Sequence, residues 1–212
     1  MRKLLVKSYY GDYKLYEKKI MKHFFLGKNN KILYVVDKNV YNKNKFLSKI
    51  KKKIILIKSE ENSKSYKNIA KIIQSILKRK INRDYEICGV GGGIVQDITG
   101  FVASILFRGI KWNYVPTTIL SQCDSCIGGK TSINFGQFKN QLGNFYPPKN
   151  IYLDTNFLKT LNIIAIKSGL GEMAHYYLVG NKKEWNFFKK NLDSVLEKNF
   201  NKDIMKKLIF KS

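Results

Sequence analysis

Residues 89–97 read GVGGGIVQD and connect a predicted strand to a predicted helix. This stretch ends an apolar run at 85–90 that is typical of a strand. It also opens residues 94–107, whose apolar side chains recur at the spacing of a buried helix face. Glycine lets a phosphate approach the backbone, and a helix N-terminus offers free N–H groups and a positive dipole. Because the G-x-G-x-x-G spacing is absent, the stretch alone indicates either a nucleotide site or only a tight strand–helix turn.

Outward from this turn, strand-like and helix-like segments alternate. Predicted strands are KILYVVD (31–37), KIILIK (53–58), YEICGV (85–90), KWNYVP (111–116) and NIYLD (150–154), and predicted helices between them span 63–80 and 94–107. This alternation predicts an α/β fold with a Rossmann-like, mostly parallel sheet covered on both sides.

The last third of the chain has a different pattern. After residue 154 the sequence predicts only helices, over 156–160, 163–179, 182–198 and 201–211. We therefore expect an α/β domain over 1–155 and the start of an all-helical domain over 156–212.

Composition bounds the class of protein. An apolar fraction of 44% fits a globular chain, and no apolar run is long enough for a membrane helix or a signal peptide. Three cysteines are too few for a disulfide scaffold, so the expected location is the cytoplasm. The net charge of +25 comes mostly from scattered lysines, with only four arginines, which favours a solvated surface over a nucleic-acid site.

A polar, glycine-rich segment follows the strand 111–116. Residues 115–146 read VPTTILSQCDSCIGGKTSINFGQFKNQLGNFY, and they crowd together Asp124, Lys130, Asn134, Lys139 and Asn140. A protein core has no need of two lysines and two amides among glycines. A site for a phosphorylated polyol does, because lysines bind phosphate or carboxylate while Asp and Asn bind hydroxyls.

Seven motifs in order give a specific resemblance. They are GGGIVQDITGFVAS, FRG, VPTTILSQCDS, GGKTSIN, KNQLGNFYPP, LDTNFLKTL and SGLGE. From about residue 37 to 177 the chain resembles 3-dehydroquinate synthases and related sugar-phosphate cyclases. The GGKT and KN motifs separate it from glycerol-dehydrogenase-type alcohol dehydrogenases. The resemblance implies that residues 1–155 bind NAD and that residues 156–212 begin the metal and substrate domain. It also implies a divalent metal (zinc or cobalt), a small phosphorylated sugar-acid substrate and a homodimer, with no nucleic-acid or membrane partner expected.

The resemblance also implies a set of site residues. Expected cofactor contacts are Asp37, Asn39, Glu61, Lys64, Gly92, Gly93, Asp97, Thr117, Thr118, Asp124, Lys139, Thr160 and Leu161. The match at Glu61 and Lys64 is looser, because the family's preceding Asp-Gly type turn is missing. The expected catalytic set is Lys130, Asn140, His175 and Arg108, with Lys139 shared between cofactor and substrate. In the family the arginine reaches across the dimer to the partner's substrate.

Glu172 corresponds to the family's first metal ligand, and two histidines later in the family sequence complete the zinc site. This sequence ends at Ser212 without them, which leaves either a fragment or a chain without zinc-dependent catalysis. His175 stands where the family has lysine, and we interpret it as a substituted active-site residue, with a surface role or a local metal ligand as alternatives. His23 is expected on the surface, and Cys123 and Cys126 as small core residues.

The implied activity is a phosphate-eliminating lyase that converts a heptulosonate phosphate to 3-dehydroquinate, a step of the shikimate pathway to aromatic amino acids. Two alternatives stay open: a cyclase of another sugar phosphate, and a non-catalytic NAD-binding remnant. A basic nucleic-acid binder rests on the charge alone.

Overall fold

The computed structural model describes residues 2–17, 25, 31–196 and 201–212, so the expectation for His23 lies outside the described residues. A seven-stranded sheet in the order β1-β2-β9-β6-β5-β3-β4 forms its centre. Its strands are β1 (Arg2–Val6), β2 (Tyr13–Glu17), β3 (Ile32–Asp37), β4 (Ile54–Ile57), β5 (Glu86–Gly91), β6 (Trp112–Pro116) and β9 (Asn150–Leu153). Only β1, at one edge, pairs antiparallel, so the predicted mostly parallel sheet is confirmed.

The sheet is buried on both faces, as a parallel sheet under helices must be. In β3, Leu33 and Val35 belong to one apolar cluster, while Tyr34 and Val36 belong to a second one on the other side. This is why the strand reads as a continuous apolar run. All five predicted strands are present, with ends within one or two residues of the prediction.

Two helices, α2 (Tyr66–Leu77) and α3 (Gly93–Ile105), cover the first apolar cluster. The short helix α1 (Lys38–Lys43) packs on the second cluster, on the other face of the sheet. The predicted helices 63–80 and 94–107 are thus confirmed with shorter ends. α3 stops early because Phe107, Arg108 and Gly109 all have positive φ, at 53°, 66° and 106°.

Segment 115–146, predicted as a polar glycine-rich site, contains regular structure. A π-helical turn spans Ser121–Ser125, and an antiparallel hairpin joins β7 (Lys130–Phe135) to β8 (Phe138–Phe145). The hairpin, like β1 and β2, is absent from the sequence prediction. Every residue of β8 is exposed, so the strand lacks the apolar alternation by which a strand is recognised.

The C-terminal helices form a third apolar cluster. They are a 3-10 helix over Thr155–Thr160, α4 (Ile163–Val179), α5 (Lys182–Leu196) and α6 (Lys202–Ile209), each matching a predicted helix. Met173, Tyr177 and Met205 pack in this cluster together with Ile119 from the α/β part. The domain boundary near residue 155 stays a prediction. In the described part of the chain, no helix combines the length and apolar character that crossing a bilayer requires.

Candidate cofactor and substrate site

The glycine-rich turn lies at the carboxyl edge of the parallel sheet, where such sheets bind ligands. A side chain at Gly91 would come within 2.5 Å of Val95, and one at Gly92 within 3.1 Å of Thr118. A Cβ at Gly93 would meet nothing nearer than the Ser125 hydroxyl, at 3.9 Å. Gly91 is therefore required by packing inside the protein, whereas Gly93 leaves open space at the N-terminus of α3.

A cavity of about 290 Å³ lies at the ends of β3 and β6. Six of the predicted cofactor contacts line it: Asp37, Asn39, Thr117, Thr118, Thr160 and Leu161. They come from three separate stretches of sequence, and the fold brings them together.

Local hydrogen bonds fix the polar groups of this cavity. The Asp37 carboxylate caps α1 by accepting from the Asn39 N–H at 2.7 Å, and the Ser59 hydroxyl donates to its other oxygen. Thr118 and Ser121 cap each other's backbone at the start of the π-helical turn.

Lys64 lies at the centre of a buried polar cluster. Its side chain is only 6% exposed, and its ammonium donates to Asp97 Oδ2 at 2.7 Å and to Asn140 Oδ1 at 2.6 Å. The Ser132 hydroxyl is a more distant partner, at 3.4 Å. Sequence reasoning placed Lys64 and Asp97 with the cofactor and Asn140 with the substrate; the fold joins all three.

Asp97 is held by more than the lysine. The Ser132 N–H donates to its Oδ1 at 3.2 Å. Burial raises the pKa of the Asp97 carboxyl above its ordinary value, although the Lys64 ammonium and the hydrogen bonds oppose this shift. Asp97 lies one turn into α3 from Gly93, and protein donors hold both of its carboxylate oxygens.

Glu61 does not point free into the cavity. Its Oε1 accepts from Asn134 Nδ2 at 2.8 Å, and Asn134 Oδ1 accepts from the Asn140 N–H at 2.9 Å. The 3-10 helix Glu61–Lys64 is thereby tied to the β7–β8 hairpin. Asn134 was predicted only as one of the polar residues of segment 115–146, and Ser132 was not predicted at all, because their contacts join distant segments.

Three predicted cationic residues lie at the surface. Lys130, Lys139 and Arg108 are exposed, and none of them forms an ion pair with another residue that the structure describes. The structure does not bring them into the cavity lined by Asp37 and Thr118.

Glu172 lies on α4 beside the π-helical turn. A side chain at Gly169 would come within 2.5 Å of Ile119, so this glycine allows the helix to approach the turn closely. One turn further along α4, Tyr176 lies near the carboxylates of Asp124 and Glu172. Burial and these neighbouring carboxylates raise the pKa of the Tyr176 phenol to about 12. Tyr176 was missed because a lone tyrosine carries no motif.

The metal donors around Glu172 are few. His175 is exposed and contacts the Tyr176 ring edge-on, with the ring centres 5.9 Å apart. Nowhere among residues 2–17, 25, 31–196 and 201–212 do three His, Cys, Asp or Glu side chains come together as a metal site would require. The described part of the chain thus supplies Glu172 but no set of three donors around it.

The two cysteines of the C-x-x-C pair are free and inert. Burial first, and nearby negative groups second, raise the pKa of both the Cys123 and Cys126 thiols to about 12. A thiol that stays protonated is a poor nucleophile and a poor metal ligand, which agrees with their predicted packing role.

Comparison with known proteins supports the resemblance. The sequence profile described as "3-dehydroquinate synthase N-terminal" matches residues 54–168. The 3-dehydroquinate synthase of Dictyoglomus turgidum is 43% identical over 149 residues, which is 70% of this chain and 42% of that protein. The enzyme of Buchnera aphidicola subsp. Cinara cedri is 38% identical over 194 residues, covering 89% of this chain and 53% of that protein. The chain thus spans about half the length of the curated relatives it matches.

Solved structures give the same fold. A 2-deoxy-scyllo-inosose synthase complexed with carbaglucose-6-phosphate, NAD+ and Co2+ matches with a TM-score of 0.84 at 20% identity, over 99% of this chain and 61% of that chain. ValA, a 2-epi-5-epi-valiolone synthase with NAD+ and Zn2+ bound, matches with a TM-score of 0.80 at 21% identity, over 94% and 58%. Since the synthase profile covers more than half of the 212 residues, the chain belongs to the 3-dehydroquinate synthase family.

Proposed function

We propose that this chain binds NAD and forms the nucleotide-binding part of an enzyme that converts a heptulosonate phosphate to 3-dehydroquinate with loss of phosphate. The observation that carries the proposal is the cavity at the ends of β3 and β6, where six expected cofactor contacts meet. The open space at Gly93, at the N-terminus of α3, suits a pyrophosphate. Membership of the family and the names of the relatives support the reaction.

The chemistry divides between cofactor and chain. A bound NAD would supply a reversible hydride acceptor. In the proposed reaction a secondary hydroxyl of the substrate would become a ketone, the neighbouring C–H would become acidic, phosphate would leave, the ketone would be reduced again and an intramolecular aldol step would close the ring. The chain's part is to bind and orient. We expect Lys130 and Lys139 to meet anionic groups of the substrate, and Lys64 holds Asp97 and Asn140 in fixed positions.

The expected metal is zinc or cobalt, with Glu172 as one ligand. A catalytic zinc takes about three protein ligands. Because the described residues offer no set of three donors, we derive no step through the metal.

A second candidate function is a cyclase for a different sugar phosphate. His175 favours it, because a planar imidazole would replace the flexible ammonium of the family's lysine beside Glu172. Phosphate release from the heptulosonate phosphate, compared with release from other sugar phosphates, separates the two.

Calorimetric titration with NAD tests the cofactor proposal. Asp97→Asn keeps the shape of the side chain but removes its charge. We expect it to bind NAD about tenfold more weakly, which corresponds to a loss of roughly 1.4 kcal/mol in binding free energy. The matched control is Asp84→Asn, since Asp84 is an exposed aspartate that pairs with Lys31 on the surface. Absence of NAD binding by the unaltered chain would refute the proposal.

We further propose a homodimer in which Arg108 lies near the partner's substrate site. Arg108 and Phe107 are consecutive non-glycine residues with positive φ, a costly conformation that persists where function or surrounding structure requires it. The exposed strand β8 also presents apolar side chains, including Phe138 and Phe145, along an open edge. Sedimentation equilibrium should give a dimer at micromolar concentration; only monomer at high concentration would contradict it. The cytoplasm stays our proposed location, since all three cysteines are free.

A further inference from the structure

Asn134 is a buried amide between two parts of the candidate site. It is 8% exposed, and it lies near the end of β7, opposite the irregular middle of β8. Its Nδ2 donates to Glu61 Oε1 at 2.8 Å, and its Oδ1 accepts from the Asn140 N–H at 2.9 Å. Both ends of the amide are thus engaged by protein groups.

The backbone at Asn140 needs such a partner. The hairpin register is regular from Lys130 to Ile133 and shifts before Phe135, so Asn140 lies in a bulge of β8. Its φ is +56°, a left-handed conformation that asparagine tolerates better than most residues. In a bulge the ladder hydrogen bond is lost, and the Asn134 side chain accepts from the N–H in its place.

The bulge turns the Asn140 side chain toward Lys64 and Ser132. Asn140 Oδ1 accepts from Lys64 Nζ at 2.6 Å and from the Ser132 hydroxyl at 2.9 Å. Through this contact, the orientation of Asn140 is coupled to the Lys64–Asp97 ion pair at the cofactor turn. A bulge that re-aims a side chain next to a site is a recurrent device in sheets.

We propose that Asn134 is a positioning residue: it holds Asn140 in its left-handed conformation and fixes it against Lys64, without touching substrate or cofactor itself. The role rests on the proposed function in so far as Asn140 and Asp97 are ligand contacts. A direct ligand role is disfavoured, because the oxygen and one N–H of the buried Asn134 amide already have partners.

The first test removes the amide. In Asn134→Ala the Asn140 N–H loses its acceptor, so its hydrogen exchange, followed by NMR, should become about tenfold faster or more. NAD binding should weaken by about tenfold, because the Lys64–Asp97 pair loses its fixed neighbour.

Asn144→Ala is the matched control. Asn144 lies in the same hairpin, and its side chain also makes two contacts, with Thr131 and Ser104, but none with Glu61 or Asn140. It should leave Asn140 exchange and NAD affinity within about twofold. Equal effects of the two variants would show a general weakening of the hairpin and overturn the proposal.

A second test exchanges donor and acceptor. Asn134→Asp can still accept from the Asn140 N–H, but it sets a carboxylate against Glu61, where the amide had donated at 2.8 Å. Adding Glu61→Gln restores a donor to that contact. We expect the double variant to exchange at Asn140 more slowly than Asn134→Asp alone, with an interaction in the double-mutant cycle. Additive effects would overturn the proposal even if both single variants fold poorly.

The two readouts separate the two proposals. If the unaltered chain fails to bind NAD, the proposed function fails, while Asn140 exchange still decides the role of Asn134. If NAD binds and Asn140 exchange is unchanged in Asn134→Ala, the positioning role fails and the cofactor proposal stands.

Discussion

The polar cluster around Lys64 and the surface of α4 around Glu172 are built very differently. In the cluster, Lys64, Asp97 and Asn140 are joined by short hydrogen bonds, and the lysine side chain is 6% exposed. On α4, Glu172 and His175 are exposed, and Tyr176 lies near the Asp124 carboxylate. The first region is held in a fixed arrangement by contacts within the protein, which favours binding.

Cofactor binding and metal binding therefore depend on separate parts of the fold. The cofactor cavity draws on the ends of β3 and β6, which lie on either side of β5 and are held in register by the parallel sheet. The metal position depends on what α4 presents, and within the described part of the chain no three donor side chains come together there.

The largest effect concerns turnover. The polypeptide of residues 1–212, supplied with NAD and zinc, should release phosphate from the heptulosonate phosphate at least about 100-fold more slowly than a family enzyme with a complete zinc site. NAD should still bind, as calorimetry would show. Robust turnover would mean that the metal site is assembled in another way, and Glu172→Gln and His175→Ala would then be the variants to assay.

Next comes the buried ion pair. Lys64→Met leaves Asp97 Oδ2 without its donor and removes the shorter of two hydrogen bonds to Asn140 Oδ1, so the free energy of unfolding should fall by about 3 kcal/mol. Lys31→Met removes an exposed pair with Asp84 and should change stability by less than about 0.5 kcal/mol. Urea denaturation measures both, and similar losses would contradict the central place given to Lys64.

The glycines of the turn separate packing from binding. Gly91→Ala would force a methyl group to within 2.5 Å of Val95 and should cost about 2 kcal/mol of stability. Gly93→Ala has room within the protein and should preserve the melting temperature, yet weaken NAD binding by about tenfold because the methyl group occupies the pyrophosphate approach. Undiminished NAD affinity in Gly93→Ala would place the pyrophosphate elsewhere.

The smallest effect is a pH dependence of stability at the amino ends of the strands, away from the candidate site. Burial acts to raise the pKa of Glu86, but the hydrogen bonds from Lys149 and Asn113 outweigh it, so the pKa of Glu86 lies below its ordinary value of 4.5. A lowered carboxyl pKa stabilises the fold above about pH 4.5, and this contribution is lost as the pH falls through the folded pKa. Lys149→Met should therefore reduce stability at pH 7 by less than about 1 kcal/mol, and the difference should shrink below pH 4. A difference that grows on acidification would reverse the assigned sign.

Much of the α/β layout could be predicted because fully buried parallel strands read as continuous apolar runs, as in ILYVVD of β3. The strand β8 could not, since its sequence FKNQLGNF is exposed throughout and shows no apolar periodicity. β1 and β2 lie at one edge of the sheet, where β1 pairs only with β2, and their short runs gave no comparable signal.

The candidate site divides in the same way. Motif positions such as Gly93, Thr118 and Glu172 could be named from the sequence, because local order and spacing define them. The contacts of Lys64 could not, since Asp97 and Asn140 lie 33 and 76 residues away along the chain. Asn134 acts through a bulge in a hairpin that was itself not predicted.

The position of β9 has a consequence for synthesis of the protein. Strands β3 to β6 pair with one another over short connections, but β2 has a parallel neighbour only in β9, and Leu15 meets Ile151 there, 136 residues later. On the ribosome, the antiparallel pair of β1 and β2 therefore emerges before the other strands of the sheet, and it is the last part to be joined. Contacts between such distant segments form slowly, so the nascent chain carries an open strand edge until residue 153 has left the exit tunnel.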